Sequence, residues 1–187
     1  MMRTGRVFAT LAVLACSACP TFAQDAGKIG LAMAYPAAFG IVWHATDKIA
    51  IRPSVTFGGS STEGSATTSG GSAWNVGTTI AALFYVKKYD NVRTYISPSY
   101  RYSHTSTTIH PPSASASLVG DLNSTANTNG GAGTFGAEFA ATTHFSIIGE
   151  VGFAFSRVTQ KSMVVQNVTV NGKSWGATAG VGLVFYP

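Results

Sequence analysis

Two groups of residues in this chain could do chemistry. In His144-Phe145-Ser146, followed by Glu150, an imidazole, a hydroxyl and a carboxylate lie close in sequence. Such a set serves nucleophilic acyl transfer when the imidazole hydrogen-bonds the hydroxyl and both reach the acyl bond. The second group is dispersed: Arg52, Arg93, Arg101, Glu138 and Glu150, with Tyr95 among them. Opposite charges on distant segments can meet as an ion-pair network or line a polar passage. His44, His104 and His110 are scattered without metal-ligand grouping, so no metal or other cofactor is expected.

The elements that carry these residues are strands. From Trp74 to Val86 the side chains alternate: Trp74, Val76, Thr78, Ile80, Ala82, Phe84 and Val86 against Asn75, Gly77, Thr79, Ala81, Leu83 and Tyr85. After a short polar turn at Lys88-Tyr89-Asp90-Asn91, Thr94, Ile96, Pro98, Tyr100 and Tyr102 alternate with Arg93, Tyr95, Ser97, Ser99 and Arg101. Successive strand side chains point to opposite faces, so each run has one apolar and one small, polar or charged side. Aromatics flank the apolar side, with Trp74 and Tyr102 at one end and Phe84 and Tyr89 at the other. That is the pattern of a transmembrane barrel that turns its apolar face to lipid between aromatic girdles.

Composition agrees. Of 187 residues, 45% are hydrophobic and 10% charged, and glycine numbers 21. This is sparse charge for a soluble domain. Yet no stretch of the body approaches the roughly 18 apolar residues of a transmembrane helix. A closed barrel is the other structure that satisfies its own backbone in lipid. At the N-terminus, Arg3 and Arg6 precede the apolar run Val7 to Cys16, and Thr21-Phe22-Ala23 offers a cut before Gln24. Residues 1–23 therefore read as a secretory signal peptide. Cleavage at Cys16, after Val13-Leu14-Ala15, is the lipoprotein alternative. Cys16 and Cys19 both fall within the leader, so a mature chain cut at Gln24 has no disulfide. Removing Arg3 and Arg6 leaves 12 − 2 = 10 basic against 7 acidic residues, a formal charge of +3 rather than +5. With no basic cluster interleaved with aromatics, nucleic acid is not an expected partner.

Taken in order, residues 24–187 give eight strands. Short turns are expected at 46–47, 88–91 and 142–143, and long loops at about 59–73, 104–131 and 158–172. Short periplasmic turns and long outer loops are the rule in bacterial barrels. Pro53, in the strand from Lys48 to Gly58, predicts a bulge or local bend. Arg52, Arg93, Arg101, Glu138 and Glu150 all fall on the inward side. A charge on the lipid face would cost about 2–4 kcal/mol at the midplane, so this sorting suits a barrel. Eight strands leave an interior just wide enough for side chains to fill, which predicts a lumen network of Arg52, Arg93, Arg101, Glu138, Glu150 and Tyr95. Within it, Arg52 is expected to bridge both glutamates. His144 falls on a short periplasmic turn, with Ser146 and Glu150 inward, so the acyl-transfer reading is disfavoured.

At this point the chain resembles a known group. Tyr85-Val86-Lys87-Lys88-Tyr89-Asp90-Asn91-Val92-Arg93-Thr94-Tyr95, Pro98-Ser99-Tyr100, Gly149-Glu150-Val151-Gly152 and Gly180-Val181-Gly182-Leu183-Val184-Phe185-Tyr186 are similar to small bacterial outer-membrane β-barrels of the OmpA-type superfamily. The resemblance spans roughly residues 28 to 187. It implies an all-β, eight-stranded, antiparallel up-and-down barrel in the bacterial outer membrane, non-enzymatic and monomeric. Outer-membrane lipid and lipopolysaccharide, an unidentified extracellular partner, and the barrel-insertion machinery are the implied partners. That machinery reads a terminal aromatic in such proteins, whereas here Pro187 follows Tyr186. No peptidoglycan-binding domain is expected after the barrel. The expected role is envelope structure or surface interaction through the loops. A narrow solute pore is the first alternative and a lipid A-modifying enzyme the second.

Overall fold

In the computed structural model, residues 26–35, 38–65, 67–112, 120–162 and 168–187 are described. The expected leader, with Cys16, Cys19 and the cut before Gln24, lies outside them, as do parts of the outer loops. Eight strands follow one another: β1 (Ile29–Ala34), β2 (Ala38–Thr46), β3 (Ile49–Thr62), β4 (Gly70–Tyr89), β5 (Val92–His110), β6 (Leu122–Ala140), β7 (Phe145–Ser162) and β8 (Val168–Phe185). Each pairs with its neighbour antiparallel, and β1 returns to β8, closing the barrel. Closure satisfies the backbone ladder without leaving a full-length edge.

The period-two pattern decides which way each side chain faces. Leu31, Ile41, Ile51, Ile80, Ile96, Phe135, Val151 and Val181 are all exposed, and together they ring the wall. An apolar belt of this extent is far beyond the patches that water-soluble monomers tolerate. Stacked rings reinforce its outer part, Phe39 on Phe57 and Phe153 on Trp175. Inward positions hold the buried residues instead, among them Val42, Ala50, Ala81, Leu83, Ile148 and Val184. The core of this molecule is thus the lower part of its lumen.

Two sequence expectations are corrected. The register of β2 against β3 is the same on both sides of Pro53, from Phe39↔Val55 to His44↔Ala50, and shifts only at Thr46. The ladder lacks pairings opposite Arg52 and Pro53 without gaining a residue. Pro98 leaves the same kind of gap between β4 and β5. A proline deletes one donor, but the flanking bonds hold the register through the missing one. Secondly, much of what reads as loop is strand. Residues 59–62, 70–73, 104–110, 122–131, 158–162 and 168–172 are all paired. These segments lie beyond the apolar belt and are mostly Ser, Thr, Asn and Gly on both faces. Nothing then imposes an apolar–polar alternation, and Ser and Thr ladders form without a legible period.

Candidate functional site in the barrel lumen

The inward charges sort into two tiers. In the lower one, β5 and β6 place Arg93 directly beside Glu138. Arg93 donates from Nη2 to Oε2 of Glu138 at 3.0 Å, with both side chains almost wholly buried, 4% and 1% exposed. The hydroxyl of Tyr85 donates to the same oxygen at 2.8 Å. Tyr186 donates to the other, Oε1, at 3.1 Å. Nε2 of His44 lies 3.0 Å from the Tyr186 hydroxyl. Because that hydroxyl gives its proton to Glu138, Nε2 is the donor, which assigns the proton to Nε2. The Arg93 guanidinium also lies over the Tyr85 ring, 4.5 Å from its centroid, and that ring stacks on His44 at 5.6 Å. A carboxylate held by an arginine and two phenols has most of its lone pairs occupied, which makes a buried charge tolerable.

The upper tier is built from β3, β5 and β7. Arg52 donates from Nη2 to Oε1 of Glu150 at 2.6 Å, and the Tyr95 hydroxyl donates to the same oxygen at 2.9 Å. Tyr95 is fully buried, and its ring meets the edge of Tyr85 at 5.5 Å, joining the tiers. Room for the ring comes from Gly136, its partner across the β5–β6 ladder, where a Cβ would overlap the phenol ring. Gly30 makes room in the same way under the ring of Tyr186. Arg52 and Glu150 keep 14% and 18% of their side-chain surface exposed, because a vestibule begins above them.

The vestibule is a cavity of about 570 Å³ in the outer half of the barrel. Arg52 and Glu150 form its floor; Ser97, Ser99, Arg101 and Thr134 lie on its wall. The six residues expected to form one network are therefore divided. Arg52, Tyr95 and Glu150 come together, Arg93 and Glu138 come together, and Arg101 stands apart higher up. The expectation that Arg52 bridges both glutamates is corrected: it meets Glu150, while Glu138 is taken by Arg93. Arg93 and Glu138 are ladder neighbours, so the nearer arginine wins. Tyr85, Tyr186 and His44 complete the lower tier and were not among the expected members. Parity alone puts all three inward, and that was the available signal.

The His–Ser pair is not assembled. His144 sits on the turn between β6 and β7, and its Nδ1 bonds Thr143 Oγ1 at 2.9 Å. Ser146 is buried on the lumen side. Among the described residues no group of three or more His, Cys, Asp or Glu is placed to hold a metal ion.

No family model matches the sequence, and no curated protein does. Solved structures are more informative. The chain is similar to a major outer membrane protein from Thermus thermophilus, with a TM-score of 0.61 at 13% identity, over 86% of this chain and 98% of that one. Acinetobacter baumannii CarO2 and CarO give TM-scores of 0.43 and 0.42, at 10% and 12% identity, over 88% and 87% of this chain and 100% and 98% of theirs. At the identity of the Thermus protein the likeness is one of fold. The fold is a closed, all-β, eight-stranded up-and-down barrel, as in that outer membrane protein.

Proposed function

We propose that this chain is an integral, monomeric protein of the bacterial outer membrane whose lumen is plugged and whose specific activity resides in its outer ribbons and loops. The observation that carries this reading is the two-tier floor. Two ion pairs, three tyrosines and His44 occupy the lower lumen in mutual contact. A solute would have to part Arg93 from Glu138 to pass, exposing a buried charge. No acyl-transfer machinery is formed by His144 and Ser146, which supports a non-enzymatic role. Envelope structure and surface interaction are then the functions left to the molecule. The ribbons of β4–β5 and β5–β6 carry Ser, Thr and Asn ladders well above the apolar belt. These are polar, hydrogen-bonding surfaces suited to an extracellular partner.

Lipopolysaccharide is the second proposed partner. From Val151 to Pro187 the chain has no acidic residue, while Arg157, Lys161 and Lys173 lie there. Arg157 and Lys173 are direct cross-strand neighbours just beyond the Phe155↔Trp175 pair. Like charges so placed repel each other, and an anionic head group between them removes the repulsion. The C-terminal strand β8 is the proposed contact with the insertion machinery.

Planar-bilayer recording of the refolded barrel tests the plugged reading. We expect no steady conductance. A stable open channel in the unmodified protein would replace this reading with that of a narrow pore.

A further inference from the structure

The barrel wall is incomplete on one side. β1 ends its ladder with β8 at Ala34↔Gly182, and the last bond runs from Tyr35 N–H to Val181 C=O at 3.0 Å. β2 ends its ladder with β3 at Ala38↔Thr56. Beyond these points β8 runs on to Val168 and β3 to Thr62, each paired only on its far side. Neither pairs with the other. Among the described residues, a gap two strands wide therefore stands beyond the ends of β1 and β2.

The gap opens at the outer part of the apolar belt. On its β8 side the outward residues beyond Val181 are Ala179, Ala177 and Trp175, with Trp175 76% exposed. On its β3 side the outward residue is Phe57, 63% exposed. These are lipid-facing side chains beside backbone edges that have lost their ladder. Hydrocarbon leaves such groups unsatisfied, so irregular edges at membrane depth are tolerated only where they border a polar cavity. That cavity is present. The vestibule is lined at the gap by Ala34, Tyr35, Ala38, Phe57, Ala179 and Gly180 as well as by its lumen residues. It reaches the flank of the barrel beside Tyr35, Phe57 and Ala179, and its volume lies in the range of small-molecule sites.

Its charge is unbalanced. Arg52 is matched by Glu150 on the floor. Arg101, on the wall, has no acidic partner among the described residues. Ser103 lies on the same wall, while the Ser97 hydroxyl is enclosed and those of Ser99 and Thr134 donate to the backbone carbonyls of Ala132 and Ser97. A cup with one unmatched cation, a sealed floor and a side opening between apolar outward residues suits one class of ligand.

We propose that the vestibule is a side-entered site for the head group of an anionic amphiphile from the outer leaflet. Its carboxylate or phosphate meets Arg101, and its acyl chain leaves between β3 and β8. This rests on the membrane reading above and adds a ligand class to it.

The probe is dodecanoic acid carrying a diazirine next to the carboxyl, with the equivalent butyrate as its soluble counterpart. The barrel is refolded into phosphatidylcholine nanodiscs, its heat-modifiable mobility is verified, and irradiated samples are mapped by mass spectrometry. Failure to gain heat-modifiable mobility would count against the membrane reading, not against the ligand site. In folded barrels we expect dodecanoate label on the vestibule segments of β3, β5 and β8. Arg101→Gln should reduce it about tenfold, the scale of one ionic contact. Gly180→Phe should reduce it similarly by filling the opening. A Cβ at Gly180 meets nothing within 4 Å, so the larger side chain has space and the barrel should still fold. Label spread over the apolar belt and indifferent to both variants overturns the proposal. So does equal labelling by the butyrate probe, which would mean a cup filled from above by soluble anions, and so does no vestibule label from either.

Discussion

Replacing Glu138 by alanine removes the acceptor that Arg93, Tyr85 and Tyr186 share. The Arg93 guanidinium, 4% exposed and lying over the Tyr85 ring, then loses this carboxylate. Stripping one partner from a buried pair costs about 3–5 kcal/mol, mostly as the penalty on the charge left behind. With a urea slope of about 2 kcal/mol/M, the unfolding midpoint in lipid vesicles should fall by roughly 2 M. Glu150→Ala is the comparison. Its partner Arg52 borders the vestibule and keeps 14% exposure, so water relieves the orphaned charge. Its cost should be about 1–2 kcal/mol, or roughly 1 M or less in urea. A third variant, Arg93→Met with Glu138→Met, removes both charges together and should recover most of the loss. Equal midpoints for Glu138→Ala and Glu150→Ala would refute the idea that the lower tier is dry. A double variant no better than Glu138→Ala would refute the ion pair as the cause.

Further expectations can be checked with the same material. Arg52→Ala should lower the urea midpoint more than Arg157→Ala, because Arg52 leaves Glu150 unmatched while Arg157 is exposed above the aromatic belt. Gly136→Val should push Tyr95 off Glu150 and cost about 1–3 kcal/mol through overpacking, read as a midpoint shift. Broad-specificity protease added to whole cells should cut between β5 and β6, within 111–121, and spare Lys87-Lys88; cleavage at the lysines with the β5–β6 connection protected would reverse the orientation. N-terminal sequencing of the heat-modifiable outer-membrane form should begin at Gln24.

Alternation carried most of the fold into the sequence. A strand that faces lipid on one side and a packed lumen on the other must alternate, so Trp74–Val86 and Thr94–Tyr102 declare both the strand and its orientation. The same parity put Arg52, Arg93, Glu138 and Glu150 inside, because the lipid face excludes charge. Where both sides of a strand meet water or polar groups, the constraint vanishes, and residues 104–110 and 122–131 read as loop although they are paired. Which inward groups meet is a different matter. Arg93 lies beside Glu138 because of the β5–β6 register, and Arg52 reaches Glu150 across the lumen between non-adjacent strands. The length of the β1–β2 hairpin relative to β3 and β8, and hence the gap in the wall, also depends on pairing. Parity is a property of one strand and is written locally. Register, shear and lumen contacts belong to several strands at once, and only the closed barrel decides them.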